Sequence, residues 1–149
     1  MENKKIKNAQ QKEYNGIKFK SLTEVMVYKT LLQEGFEPFY EGTKYVIWQG
    51  FKPEIPFYKP DKKTKNLVLQ TSKIKDITYT PDFIFSLDKY IIIIEVKGKA
   101  NDTYPLKQKL FRKYMEDCEE IIKFFEVHNL KQLNQVINIL KNIQNELGN

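Results

Sequence analysis

The stretch ITYTPDFIFSLDKYIIIIEVKG, residues 77–98, decides the fold. Residues 77–85 and 90–98 are rich in β-branched and aromatic side chains, and the turn-like residues 86–89 separate them. Two strand-forming runs joined by a short turn predict an antiparallel β-hairpin. The second run contains four consecutive isoleucines. A continuous apolar run of this kind is typical of a strand that is covered on both faces.

A helix is predicted ahead of the hairpin, between Ser21 and Gly35. The sequence SLTE, residues 21–24, matches a capping box with Ser21 as the N-cap and Glu24 at position N3. Gly35 suits the position just after a helix, where the backbone often turns left-handed. The apolar residues that recur here at near-helical spacing are Leu22, Val25, Met26, Leu31 and Leu32.

The segments around this helix have other patterns. Residues 1–15 are polar and Lys-rich without periodicity, which predicts a flexible basic arm ahead of a single domain, residues 16–149. Residues 44–51 are rich in β-formers and predict a strand. Residues 52–76 contain three prolines and the Lys-rich turn PDKKTK, and they predict a loop or small edge hairpin inserted into the domain.

Three elements are predicted after the hairpin: an amphipathic basic helix at 106–117, a strand at 121–127 and a final helix at 130–147. The order αβββαβ plus a C-terminal helix predicts an α/β fold, a mixed β-sheet flanked by helices. The helix at 106–117 is long enough for a right-handed crossover between parallel strands. Its apolar side consists of Leu106, Leu110, Phe111, Tyr114 and Met115.

The composition restricts the partners. Lys and Arg number 25 against 19 acids, a net charge of +6, which favours polyanionic partners. Arg112 is the single arginine, so two-pronged arginine contacts to guanine are scarce and phosphate contacts are the better expectation. Cys118 and His128 are each the single residue of their type, which excludes an internal disulfide and a Cys/His zinc site. No apolar run has membrane-spanning length, so we expect a cytoplasmic protein.

The predicted hairpin brings two carboxylates together. A turn near residues 88–89 pairs residues whose numbers add up to about 177, which sets Asp82 opposite Glu95 at roughly 5 Å between Cβ atoms. Glu95 and Lys97 then share a face, while Val96 points to the other. Pro81 can add a bulge that shifts this register. The two carboxylates and the Val96 carbonyl form an oxygen-rich site suited to Mg²⁺, with Lys97 placed to orient or deprotonate a water.

A plainer interpretation is a surface ion pair of little energetic value. The apolar context argues against it, because Glu95 and Lys97 end a strand in which an unpaired charge is costly. Glu24 has two interpretations as well. A capping-box glutamate needs no catalytic role, although capping and catalysis are compatible in one side chain.

Pro81 and Asp82, followed by Glu95, Val96 and Lys97, match the signature of the PD-(D/E)XK nuclease superfamily. TYTPDF before the aspartate, Gly98 after the lysine and FKSLTE in the first helix make the chain similar to small phage-encoded endonucleases, including Holliday junction resolvases. The resemblance implies a restriction-endonuclease-like core and an Mg²⁺-dependent DNA endonuclease, with Mn²⁺ as a substitute. It also implies branched DNA as substrate and a homodimer. Asp82 and Glu95 would hold the metal, Lys97 would serve the attacking water, and Glu24 would match the helix acid that assists them.

The sequence leaves several alternatives open. One is a sequence-specific, restriction-like or transposon-end nuclease, and another is a catalytically silent nucleic-acid-binding module. An interaction protein that targets host factors is a third. Trp48, Tyr45 and Phe51 are candidates for stacking on bases, although strand aromatics more often belong to the core. The candidate DNA contacts, which are otherwise ordinary solvated lysines, are Lys18, Lys20, Lys99, Lys107 and Lys109.

Overall fold

The hairpin predicted from residues 77–98 lies at the centre of the computed structural model, which describes residues 12–98 and 103–148. In chain order the strands are β1 (Glu13–Tyr14), β2 (Ile17–Lys18), β3 (Phe39–Tyr40), β4 (Tyr45–Trp48), β5 (Tyr58–Pro60), β6 (Leu67–Leu69), β7 (Ile77–Tyr79), β8 (Phe83–Leu87), β9 (Tyr90–Val96) and β10 (Ile121–Val127). The helices are α1 (Leu22–Gln33), α2 (Tyr104–Asp117) and α3 (Leu130–Leu147). The architecture is mixed α/β, as the sequence predicted.

The central sheet has four strands in the order β10-β9-β8-β3. β8 and β9 are antiparallel, and their paired residue numbers add up to 177, as in Phe83 with Ile94. The predicted register is therefore confirmed. β8 extends to Leu87, so the turn is shorter than predicted and centres on Asp88, whose φ is 53°. β10 pairs with β9 in parallel, as expected for strands joined through a helix.

The isoleucines of β9 are covered on both faces. Ile92 and Ile94 belong to a buried cluster that includes residues of α1 and α3, whereas Ile93 belongs to a second cluster with Phe111 of α2. Alternate side chains of a strand point to opposite sides, which is why consecutive isoleucines enter different clusters. Helices on both faces of the sheet thus explain the continuous apolar run.

The prediction of one continuous strand over residues 77–85 is wrong, because two separate strands, β7 and β8, are formed there. β7 pairs with β4 in a separate two-stranded sheet, and the chain joins the central sheet only at Phe83. The fully buried Pro81 lies at the break, because proline has no N–H group to donate to a β-ladder. The predicted strand 44–51 consequently pairs outside the central sheet, where β3 takes the edge position instead.

The N-terminal arm also differs from its prediction. Residues 1–11 lie outside the described residues, but β1 and β2 pair as a hairpin. Its turn is formed by Asn15 and Gly16, both with positive φ, a pair that strongly favours two-residue hairpin turns. Residues 12–15 are therefore part of a folded element, and the Asn-Gly pair was the signal that the sequence analysis overlooked.

The helix faces needed two corrections. In α1, Leu22 is exposed and the buried positions are taken by Glu24, Val25, Val27, Tyr28 and Leu31. In α2, Leu106 is 56% exposed, and Phe111 is the fully buried residue. In the first turn of α2 it is Tyr104, and not Leu106, that packs against the aromatic cluster around Phe111. Within the described residues, no helix has both the length and the apolar character needed to cross a membrane.

Phe111→Ala is expected to destabilise the protein by about 3 to 5 kcal/mol, the usual cost of removing a buried ring. The ring of Phe111 contacts Tyr45, Tyr79, Tyr114 and Phe124, so its loss leaves a cavity between α2 and the sheets. Leu106→Ala in the same helix is the control, with an expected change under roughly 1 kcal/mol. Urea unfolding of both variants measures the difference. An equal decrease in unfolding free energy would contradict the assignment of Phe111 to the buried face of α2 and of Leu106 to the exposed face.

Candidate active site

A cavity of about 450 Å³ opens where β7, β8 and β9 meet. Asp82 in the β7–β8 connection and Glu95 near the end of β9 both line it. The carboxylates in its lining belong to Glu24, Glu41, Asp82 and Glu95, and the lysines are Lys20, Lys97 and Lys107. The sequence analysis predicted all of these except Glu41.

Asp82 and Glu95 are held by crossed hydrogen bonds between their segments. The backbone N–H of Val96 donates to Oδ2 of Asp82 at 2.7 Å, and the N–H of Asp82 donates to Oε2 of Glu95 at 3.3 Å. The hydroxyl of Tyr79 donates to the same Oε2 at 2.6 Å. β8 begins at Phe83, one residue after Asp82. The Val96 N–H, which a backbone carbonyl would accept if β8 were longer, therefore donates to the side chain of Asp82.

Burial sets the charge state of this pair. It raises the pKa of Asp82 to about 7, with the neighbouring Glu95 charge as the next cause. Burial also raises the pKa of Glu95, against the opposing effects of the Tyr79 hydroxyl and of Lys97. Two carboxylates so close in a protein interior repel each other when both are charged, and a bound cation would relieve that repulsion.

Lys97 is fixed against this pair. Its Nζ lies 3.3 Å from Oε1 of Glu95 and 3.5 Å from the centre of the Tyr104 ring. The predicted common face of Glu95 and Lys97 is thus confirmed. The Tyr104 hydroxyl donates to Oε1 of Glu126 at 2.7 Å, and the other Glu126 oxygen lies 2.8 Å from Nε2 of His128. The lysine therefore rests on an aromatic face that β10 holds in place.

The sequence analysis missed Tyr104. It is the first residue of α2 and follows the N-cap residue Thr103. No spacing along the chain linked this residue to Lys97, because the contact depends on how α2 packs against the end of β9. An aromatic residue at the start of a helix carried no signal of its own.

Glu24 is buried, 7% exposed, and its carboxylate lines the cavity. Ser21 Oγ accepts from the Glu24 N–H at 3.1 Å, which confirms Ser21 as the N-cap. The carboxylate accepts from the hydroxyls of Ser21 and Tyr40, at 3.1 and 2.5 Å. Its charge contributes to the raised pKa of Asp82. Glu24 thus belongs to the capping box of α1, and its charge also raises the pKa of Asp82 in the cavity.

The predicted DNA-contacting lysines separate into groups. Lys20 and Lys107 line the cavity, and Lys20 forms an ion pair with Glu41 at 2.7 Å, the main reason that its pKa is raised. Lys18 in β2 and Lys109 in α2 are exposed and lie outside that lining. Lys99 lies outside the described residues.

The residues present fit a hard divalent cation in their chemistry. Asp82 and Glu95 offer carboxylate oxygens, the ligands that Mg²⁺ prefers. Mg²⁺ is usually held by one or two carboxylates, and water and substrate take the remaining positions. Within residues 12–98 and 103–148 no group of three or more acid, His or Cys side chains is arranged to hold a metal ion. A site on this chain would thus rest on the Asp82 and Glu95 pair, with Glu24 farther out.

Comparison with known families gives one match. A family model described as "Protein of unknown function (DUF1064)" matches residues 4–132. The chain belongs to this family. The DUF1064 match includes Glu24, Asp82, Glu95 and Lys97 and ends in the first turn of α3. No curated protein and no solved structure matches the chain.

In the absence of metal, the free energy of unfolding of Asp82→Asn is expected to rise relative to that of the wild type as the pH rises from about 4 to about 7. The pKa of Asp82 is raised to about 7 in the folded protein, from an ordinary value of 3.8. Its protonated form therefore stabilises the fold at low pH, and that contribution is lost as the pH rises through this window. Asparagine does not titrate.

Urea unfolding in EDTA at several pH values measures this effect. Asp88→Asn makes the same substitution in the exposed β8–β9 turn, outside the cavity, and is the matched control. A constant difference between Asp82→Asn and wild type across the window would show that Asp82 titrates normally.

Proposed function

We propose that this protein is an Mg²⁺-dependent DNA endonuclease that hydrolyses phosphodiester bonds, with Asp82 and Glu95 as the metal-binding residues. The observation that carries the proposal is the pair of carboxylates at the end of the β8–β9 hairpin, Glu95 buried and Asp82 half-buried, which crossed hydrogen bonds hold with the Lys97 ammonium beside Glu95. Two acids and a lysine in a 450 Å³ cavity combine cation affinity with a proton-transferring group.

A restriction-endonuclease-like core belongs to the same proposal. Its support is the order of α1, the antiparallel β8–β9 hairpin, α2 and the parallel β10. In this arrangement the residues of the Pro-Asp and Glu-Val-Lys motifs lie at the same end of the hairpin. The separate β4–β7 sheet forms a further wall of the cavity through Thr78 and Tyr79.

Hydrolysis joins a water oxygen to the scissile phosphorus while the bond to one sugar oxygen breaks. A bound divalent cation supplies Lewis acidity toward the phosphate and stabilises the charge of the departing oxygen. Lys97, held at 3.3 Å from Glu95, orients the attacking water and donates to the negative charge that grows on the phosphate. Glu24, held by the Ser21 and Tyr40 hydroxyls in the lining of the same cavity, helps to position that water.

The surrounding residues hold these groups in place. The Tyr79 hydroxyl and two backbone amides fix the Asp82 and Glu95 carboxylates, and the Tyr104 ring limits the positions of the Lys97 ammonium. Groups that are already oriented lose little entropy when the substrate binds, which lowers the barrier. Lys20 and Lys107 at the cavity are suited to phosphates that flank the cleaved bond.

Within this class we propose branched DNA, such as a Holliday junction, as the substrate, a homodimer as the active form and the cytoplasm as the compartment. The support is the resemblance to small phage-encoded nucleases. A sequence-specific nuclease is the second possibility within the class, and the scarcity of arginine speaks against it.

Labelled linear, flapped and four-way DNA incubated with Mg²⁺, Mn²⁺ or EDTA tests the activity. Cleavage is expected with either metal and not in EDTA. Asp82→Ala and Lys97→Ala are expected to lower the rate roughly 100-fold or more, because each removes a group that acts on the reacting phosphate.

Asp88→Asn and Lys89→Ala, at the other end of the same hairpin, are the matched controls and should cleave at the wild-type rate. Circular dichroism confirms that each variant is folded. A folded Asp82→Ala that retains full activity would refute the assignment. DNA binding without cleavage under any metal would identify a silent binding module, and absence of both would favour an interaction protein.

The homodimer is tested by light scattering on the purified chain, with an expected mass of twice 17.8 kDa. Two cuts in opposite strands of a four-way junction need two active sites, so the dimer should cleave junctions faster than linear duplex. A monomer that cleaves linear duplex as fast as junctions would remove the junction-specific proposal and leave the nuclease proposal intact.

A further inference from the structure

Residues 51–76, called here the inserted hairpin, form an ordered element that the proposed chemistry does not use. β5 and β6 pair within it, and a bridge between Phe51 and Ile74 closes its base. The Gly50 N–H donates to Oδ1 of Asp76 at 2.7 Å, which ties the base to β4. All of its residues except Pro53 and Gln70 are nevertheless exposed.

The inserted hairpin concentrates positive charge. It contains seven lysines against Glu54, Asp61 and Asp76, a net +4 of the chain's +6. Asp61 accepts the backbone N–H groups of Lys63 and Thr64, both at 2.9 Å, so this acid stabilises the tip turn. The lysines are Lys52, Lys59, Lys62, Lys63, Lys65, Lys73 and Lys75.

The same element exposes an apolar and aromatic surface. Tyr58 pairs with Leu69 and Pro60 with Leu67, so these four side chains share one face of the ribbon. Phe57 is 62% exposed and Tyr58 57% exposed. A two-stranded ribbon with an uncovered apolar face is only marginally stable in water, and exposed apolar patches commonly mark binding surfaces.

The net charge of the inserted hairpin favours a polyanionic partner over a second copy of this chain. A second copy of the inserted hairpin would bring two groups of net charge +4 together, whereas a nucleic acid would neutralise the lysines and release counterions. Unpaired bases also offer flat faces for Phe57 and Tyr58, and stacking of this kind does not depend on base identity. Basic residues interleaved with exposed aromatic rings therefore favour DNA with unpaired bases.

The inserted hairpin is continuous with the candidate active site. Asp76 at its base precedes β7, and Thr78 and Tyr79 of β7 line the cavity. Tyr79 is the third residue after Asp76, a span of at most about 11 Å. A DNA strand with one phosphate in the cavity can thus continue along the inserted hairpin.

We propose that the inserted hairpin is a DNA-binding element in which the lysines at and near its tip contact phosphates and Phe57 and Tyr58 stack on unpaired bases beside the cleaved strand. The location beside the cleaved strand rests on the proposed function. The binding itself does not, because it requires neither metal nor catalysis. A single-stranded flap supplies such unpaired bases, which links this element to flapped substrates.

The test is fluorescence anisotropy in EDTA with labelled linear and flapped DNA, between 50 and 200 mM salt. Replacing Lys59, Lys62, Lys63 and Lys65 together by Gln is expected to weaken binding at least tenfold and to lower the slope of log affinity against log salt by about 3. Phe57→Ser with Tyr58→Ser is expected to weaken binding of flapped DNA about tenfold, with little change for linear duplex.

The matched control replaces four exposed lysines elsewhere, Lys89, Lys113, Lys123 and Lys131, by Gln. It removes the same charge and should leave the affinity within about twofold. Equal losses in both quadruple variants would overturn the proposal, because charge alone would then explain the binding. Wild-type affinity in the hairpin variants would overturn it as well, as would loss of the dimer with DNA affinity unchanged.

These outcomes separate the two proposals. A wild-type chain that cleaves DNA while the hairpin variants bind normally would refute the binding element alone. A chain that never cleaves but whose binding depends on the inserted hairpin would refute the nuclease and support the element.

Discussion

The break in strand pairing at Pro81 is the constraint on which the candidate site depends. Because proline cannot donate to a ladder, β7 ends before it and β8 starts after Asp82. The Asp82 carboxylate then accepts the Val96 N–H, and the Asp82 N–H reaches Glu95. Had residues 77–87 continued as one strand, a backbone carbonyl would have accepted the Val96 N–H, and the Asp82 carboxylate would have lost this partner.

The same arrangement has a cost to the fold. Burial and mutual repulsion raise the pKa of both acids, so charged Asp82 and Glu95 destabilise the metal-free protein. Proteins retain such groups where function requires them, and a cation at this position would turn the repulsion into a favourable interaction. The Tyr79 hydroxyl and Lys97 offset part of the cost by favouring the charged form of Glu95.

Positive charge is distributed over two separate surfaces. Lys20, Lys97 and Lys107 lie at the cavity, where Glu41 and Glu95 pair with two of them. The inserted hairpin contains seven lysines and exposes its apolar side chains to solvent. The first group of lysines is thus partly neutralised by neighbouring acids, whereas the second faces solvent.

The sequence by itself determined the β8–β9 hairpin, its register and the covered isoleucine run, because alternation and a two-residue turn leave few ways to pair these residues. It also determined that Asp82, Glu95 and Lys97 lie together, and that Ser21 caps α1. Pro81 signalled a disruption near Asp82, but the tertiary structure decided that β7 pairs with β4 in a separate sheet. It also decided that Leu106 faces solvent and that Tyr104 supports Lys97. Those features depend on contacts between elements that are distant along the chain, and local periodicity carries no information about such packing.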